Sequence, residues 1–498
     1  MLAQAAAPVP AFAQEAFERA ETNAGTLRLS LTNYGTIGKP NVRNNPEDGA
    51  SMRYPADTGT EHLFEAGIWL GAYLNGSELR VSTSAVTNSS GYATGKGGFE
   101  FTADREIRFE GEETGLGVSE QDILLEFSDR RTSIATGTSF IPIGGHTSPM
   151  YADVRVESYN WGFPFTENFT ILRYDITNNS QIHSGNDAGF TWDSVYVGMY
   201  ADLVVRNVNS TLDVGSNFFN KNGLGYLDSL YTTYVFDAGS NDNPSLNTYG
   251  GLSILGAEYR GEFLHPSNRE YLESRGLRPP AVRPSYWLFA NGAGIFSRPI
   301  DDIARYQKMS VPFPIDGRAN DGISIRDALR EDGQSSLGNY ITFLSIGPFS
   351  RVKPGETLTV YMAFSAALKP DEFQGLAGKR VDDEITREPF VRSLTSMYRV
   401  FQGEDVNGNG VLDAGEDVNG NNRLDRYLFP TPPDAPRMRV ELSPGRAVLY
   451  WDDSAERSVD QVSGEQDFEG YRIYRSEVGD DLNPRPRLIQ EVDLKGNA

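Results

Sequence analysis

From about Thr26 onward, short runs of the chain alternate apolar and polar residues. A side-chain period of two is satisfied only by extended backbone with one face turned to a core. Leu27, Leu29 and Leu31 flank Arg28 and Ser30, and Ala152, Val154 and Val156 alternate with Asp153, Arg155 and Glu157. Leu172, Tyr174 and Ile176 alternate with Arg173 and Asp175 before an Asn178-Asn179 turn. These segments predict antiparallel strands with one wet face. Val195 to Val205 and Leu358 to Phe364 lack the alternation and read as central strands covered on both sides. Asn75-Gly76, Asn222-Gly223 and Asn291-Gly292 supply turn punctuation. The expected class is all-β, with a large antiparallel β-sandwich-like domain over residues 24–402. One segment breaks the pattern. Phe390, Leu394, Met397 and Phe401 recur at helical spacing and predict a helix closing that domain, with Thr386 as its cap and Pro389 in its first turn.

Composition removes several functions. The absence of cysteine excludes disulfide scaffolds, thiolate zinc sites, iron–sulfur clusters and cysteine nucleophiles. A net charge of -23 disfavours phosphate backbones and anionic lipid, so neither nucleic acid nor a membrane surface is an expected partner, whereas cations are. The longest apolar run, Leu358 to Leu368, is shorter than the roughly 20 residues of a spanning helix. Residues 1–14 are Ala-rich and finish in Ala11-Phe12-Ala13, which reads as the remnant of a signal peptide and predicts export to the cell surface or beyond. His62, His146, His183 and His265 have no metal-ligand spacing and read as surface or hydrogen-bonded residues. No G-x-S-x-G elbow or phosphate-binding G-x-x-x-x-G-K-[ST] loop occurs. A glycosidase needs only two carboxylates at a chosen separation. Trp69, Trp161, Trp192 and Trp287 are either sugar-stacking platforms or, the preferred reading, buried sheet aromatics.

The one strong motif lies past the helix. Residues 405–416 match D-x-[DN]-x-[DN]-G followed by five residues and Glu. Asp405, Asn407 and Asn409 present hard oxygens on alternate residues, Gly410 permits the sharp turn, Val411 offers a carbonyl, Asp413 ligates through water and Glu416 clamps the ion bidentately. A weaker copy follows at a 12-residue step with Asp417, Asn419, Asn421 and Asp425, Asn422 standing for glycine and Leu428 at a twelfth position that cannot coordinate. The expected cofactor is Ca2+, at an affinity of about 0.1 to 1 mM, suited to the exterior of a cell. The tandem step leaves no exit helix to swing, which argues against a sensor. Contiguous loops of this kind, placed at residues 404–428, resemble over residues 404–427 the calcium-wrapped repeats of thrombospondin type 3 and the half-loops of dockerins. The resemblance implies ions standing in for a hydrophobic core.

Residues 429–436 form a Pro-rich spacer. Beyond it, Leu449, Trp451 and Phe468-Glu469-Gly470-Tyr471-Arg472-Ile473-Tyr474-Arg475 resemble the fibronectin type III sandwich, with Trp451 and Ile473 as core residues and Arg472 outward. Residues 437–498 fall short of the roughly 100 such a sandwich uses. The expectation is a fragment of a longer product, or strands donated by another chain. In the large domain, Asn33-Tyr34-Gly35-Thr36-Ile37-Gly38, Ala66-Gly67-Ile68-Trp69-Leu70-Gly71, Tyr174-Asp175-Ile176-Thr177-Asn178 and Lys353-Pro354-Gly355-Glu356 resemble blocks of large secreted surface proteins of Bacteroidota and related bacteria. That likeness implies location more than mechanism. The function expected is an exported, calcium-stabilised structural or adhesive protein, with other surface proteins or polysaccharide as partners. The alternative is a carbohydrate-active enzyme or glycan-binding subunit with its site in residues 26–402.

Overall fold

A computed structural model describes residues 16–39, 49–85, 99–111, 116–136, 139–209, 221–239, 246–289, 294–314, 340–430, 433–460, 466, 468–475 and 487–493. The signal-peptide stretch and the Asn291-Gly292 turn lie outside them. The chain forms two units, one of residues 1–401 with 408–410, the other of 402–407 with 411–498.

The first unit is all-β and sandwich-like, built of two large antiparallel sheets beside a small two-stranded one. One runs in the order Arg19–Glu21, Arg28–Thr32, Thr36–Ile37, Thr60–Leu74, Trp192–Asn207, Tyr340–Phe349, Ala281–Leu288. The other runs Asn222–Leu227, Thr232–Asp237, Thr248–Tyr259, Thr357–Leu368, Phe169–Asn178, Ala152–Asn160, Gln121–Ser128, Thr102–Ala103. The alternation expected for Ala152–Asn160 holds. Val154 and Val156 are buried while Arg155 is exposed, and the register Val154↔Ile176, Val156↔Tyr174 aligns the apolar faces of two neighbouring strands. Inner-face residues of both sheets, among them Leu29, Ile68, Met199, Leu172, Ile254 and Met362, form one continuous core. Val195–Val205 and Leu358–Phe364 are buried throughout, as unalternated strands should be.

Two local expectations along the strands are corrected. Ser30 is 1% exposed rather than wet, because the segment at Ala50–Ser51 lies over it. Its hydroxyl donates to Ala50 O (2.6 Å) and its N–H to Ser51 O. Asn222-Gly223 opens a strand instead of turning. Asn222 Oδ1 accepts the Val205 N–H, and Gly223 lies where a Cβ would meet the Phe236 ring at 2.4 Å, so glycine is there for closeness, not for a bend. Asn75-Gly76, by contrast, is the expected turn, both residues left-handed between Thr60–Leu74 and Glu78–Thr83.

The long helix spans Glu384–Gln402 with Phe390, Leu394, Met397 and Phe401 buried, as expected. Its cap is Asp383, not Thr386. Asp383 Oδ1 accepts the Thr386 N–H (2.8 Å), and the Thr386 hydroxyl accepts the Asp383 N–H (2.9 Å), a reciprocal capping box. Pro389 therefore sits in the second turn. No helix among the described residues is long and apolar enough to cross a membrane.

Within the second unit, Met438–Ser443 pairs with Arg446–Trp451, and Gly470–Arg475 with Arg487–Asp493, as two separate two-stranded sheets. Trp451 packs on Tyr471 at 5.4 Å between ring centroids. Trp451 and Ile473 are half-buried rather than core, and Met438, Val440 and Leu442 are exposed.

Candidate calcium loops

Two residues after the helix, the backbone begins a repeat. Gly408 (φ 72°) and Gly420 (φ 73°) occupy the fourth position of the two loops, and Gly410 (φ 76°) and Asn422 (φ 58°) the sixth. All four are left-handed, which glycine adopts freely and asparagine tolerates. Asn422 thus does the conformational work of the missing glycine.

The side chains repeat too. Asn407 Nδ2 donates to Asp413 Oδ2 at 2.7 Å, and twelve residues on Asn419 Nδ2 donates to Asp425 Oδ2 at 2.7 Å. Asp417 accepts the N–H groups of Asn421 and Asn422 at 3.0 Å each, tying the second loop back to its first residue, and the Asn421 amide adds a bond to Asp425. Asp405 is fully buried and Glu416 nearly so, while Asp413, Asn419 and Asn421 are exposed and Asn409, Val411, Asp417 and Asp425 half-exposed.

The sequence gives no hint of what closes the second loop. In the first, Glu416 donates its N–H to Asp413 O (3.1 Å) while its Oε2 accepts the Asp413 N–H (2.8 Å). In the second, the same double link is made to Asp425 by Glu404, which precedes the first loop. Its N–H donates to Asp425 O (3.1 Å), its Oε2 accepts the Asp425 N–H (3.0 Å), and its Oε1 accepts the Val418 N–H (3.0 Å). Leu428 is the twelfth residue of the copy, but a glutamate stands in the equivalent place, supplied from 21 residues upstream. Gly403 makes the approach possible, for a Cβ there would meet Asp425 O at 2.2 Å. At φ 60° it is also the left-handed residue that ends the helix.

The donor set is all oxygen, as a hard cation requires. Among the described residues no three His, Asp or Glu side chains stand together as a metal-holding group. The carboxylates of Glu404, Asp413, Glu416, Asp417 and Asp425 are turned instead to N–H and amide partners.

Elsewhere, Trp69, Trp161, Trp192 and Trp287 are all 4% exposed or less, so none presents a face to a sugar. A hollow of about 460 Å³ lined by Tyr73, Asn75, Gly76, Thr191, Asp193, Ser194 and Arg351 carries one carboxylate, Asp193, held by Arg351 Nε at 3.1 Å. The histidines are engaged separately. His62 meets Thr248 Oγ1 (2.8 Å), His146 the carbonyl of Asp129, His183 lies 3.5 Å from Asp153 and His265 meets Ser267. Burial pushes His62 and His265 down to about 4, so both are neutral near pH 7.

No protein-family model matches the chain, and no curated protein does. Among solved structures, a putative aldose 1-epimerase from Escherichia coli K12 aligns over 71% of this chain and 100% of its own, at 9% identity and a TM-score of 0.27. A likeness at that score carries no argument about function.

Proposed function

We propose that the chain is an exported structural or adhesive protein of the cell surface, in which Ca2+ stiffens the joint at residues 404–428. The observation that supports this reading most is the twelve-residue repeat, which recurs both as a ligand pattern and as backbone and side-chain geometry. A linker of accidental composition has no reason to repeat left-handed positions, acid–amide pairs and a double glutamate link at one period. The resemblance to secreted surface proteins supports the location. In this role the large β unit and the C-terminal strands are modules, and the ion makes the segment joining them less extensible. Bound calcium would replace the amide donors now facing Asp413 and Asp425.

Limited proteolysis of the full chain tests this. With calcium at ten times its dissociation constant, mass action protects the bound state about tenfold. Chelator is therefore expected to speed cutting within residues 404–436 by about that factor, while fragments of residues 26–401 persist unchanged. Asp405→Ala with Glu416→Ala is expected to cut at the fast rate with or without calcium. Equal cutting of the native chain in both conditions, with no heat in a calcium titration, sinks the reading.

Glu404 gives a second expectation, one that holds with or without the ion. Glu404→Ala removes two hydrogen bonds to a buried carboxylate and is expected to open residues 417–428 by about 2 kcal/mol in amide exchange. Leu428→Ala is expected to leave the protection of Val418 and Asp425 unchanged. Loss of protection in both variants alike would mean that Glu404 has no special place.

A further inference from the structure

Deep in the first unit, strands Thr60–Leu74 and Trp192–Asn207 are out of step at one point. Ala201 pairs with Ala66 but Leu203 pairs with Leu63, so one residue, Asp202, faces two, Phe64 and Glu65. Such a bulge re-aims side chains. Here it brings two acids together, Asp202 at 1% exposure and Glu65 at 2%. Asp202 shares its face of the sheet with Tyr200, two residues before it. Tyr200 belongs to a packed aromatic layer with Trp69, Trp287, Ile341 and Phe343.

The polar accounting at this point does not close. Tyr200 hydrogen-bonds to Glu65, yet among the described residues Glu65 Oε2 and both Oδ1 and Oδ2 of Asp202 have no hydrogen-bond partner. The described cations of the region are spent elsewhere. Arg53 pairs with Glu61 (2.9 Å) and Arg206 also bears on Glu61. Arg305 faces Glu100 (3.4 Å) and Asp302, and Lys308 lies over the Trp287 ring and donates to Ile295 O. Among the described residues, the charge bearing on Asp202 is that of Glu65. An ionised, unpaired carboxylate at this depth costs several kcal/mol, and two side by side cost more. Something positive must neutralise them. Calcium asks for six to eight oxygens, whereas this site offers two carboxyls and a phenol among tryptophan, isoleucine and phenylalanine. A proton asks for two oxygens.

We propose that Glu65 and Asp202 form an internal proton-binding pair, one carboxyl donating to the other across the bulge, whose deprotonation in mild alkali loosens the aromatic face of the sheet. Burial raises Glu65 to about 8, and burial together with the charge of Glu65 raises Asp202 well above the usual carboxylate range. A carboxyl whose folded pKa exceeds its unfolded value stabilises the fold fully below the unfolded value. For Glu65 that contribution declines as pH rises from about 4.5 and is gone above about 8.

The test is the proton uptake that accompanies folding of the full chain, from the pH dependence of urea unfolding between pH 5 and 9. The native chain is expected to bind at least one more proton in the folded state at pH 7 than the Glu65→Gln, Asp202→Asn double variant, and to lose one by pH 9. Equal slopes overturn the proposal. So does rescue of the native chain at pH 9 by a divalent cation that leaves the double variant unmoved, since the pair would then be a metal site. If the double variant fails to fold, the infrared carbonyl band of protonated carboxyls decides. It is expected in the native chain at pH 7 and to be smaller in Glu65→Gln alone, and an unchanged band overturns the proposal.

Discussion

Asp382→Ala is expected to cost the large unit about 3–5 kcal/mol in urea unfolding, among the largest single effects in the molecule. Arg387 is 1% exposed, and the side chain of Asp382 is fully covered. Their contact at 2.7 Å lies within a cage of hydroxyls. Arg387 Nη1 also donates to Tyr234 Oη (3.2 Å), and Tyr234 and Tyr249 both donate to Asp382 at 3.1 Å. Removing the acid strands a buried cation and deprives two phenols of their acceptor at once. The pair itself need not be worth that much, because its desolvation offsets most of its attraction. Replacing both partners by apolar residues, as in Asp382→Leu with Arg387→Met, is expected to restore most of the loss. A single variant within 1 kcal/mol of the native chain contradicts this account. A double variant as damaged as the single would show that the ion pair, and not the stranded charge, carries the energy.

Trp69→Ala is expected to be comparable, about 3–5 kcal/mol, by a different route. The indole is fully buried with its ring centroid 4.8 Å from Phe343, 5.8 Å from Trp287 and 6.2 Å from Tyr200, and its Nε1–H donates to Ala85 O at 2.6 Å. Truncation leaves a cavity between rigid rings that cannot collapse. Trp69→Phe keeps most of the packing and loses the hydrogen bond, so about 1–3 kcal/mol is expected for the unpaired carbonyl and the lost volume. Equal unfolding midpoints for Trp69→Ala and Trp69→Phe would place the cost in the hydrogen bond. A midpoint near native for Trp69→Ala would mean the layer can repack.

What could be read from the residues, and what could not, divides by range. Period-two alternation located Ala152–Asn160 and Phe169–Asn178 because their faces are set by the strand itself. Ser30 misleads because a segment twenty residues away covers it. Asn222-Gly223 has the letters of a turn, but the Phe236 ring opposite leaves no space for a side chain, so the glycine serves packing. The helix face was legible and its cap was off by three residues, because both partners of the reciprocal box are plausible caps. In the first loop the motif positions from Asp405 to Glu416 could be assigned a task, yet the clamp of the second loop could not. Glu404 lies just outside the motif and acts on residues 14 and 21 positions away. Glu65 and Asp202 were invisible for the same reason, since only the bulge makes them neighbours.

The crossing of Glu404 over the first loop also limits how such a segment can change by descent. Excising residues 405–416 would join Glu404 directly to the second loop with the wrong spacing, and excising 417–428 would leave Glu404 with nothing to hold. Copies cannot be dropped or gained one at a time without leaving a clamp or a loop unmatched. Length variation here should therefore arise in the proline-dense spacer that follows, while the paired turns pass down as one indivisible block.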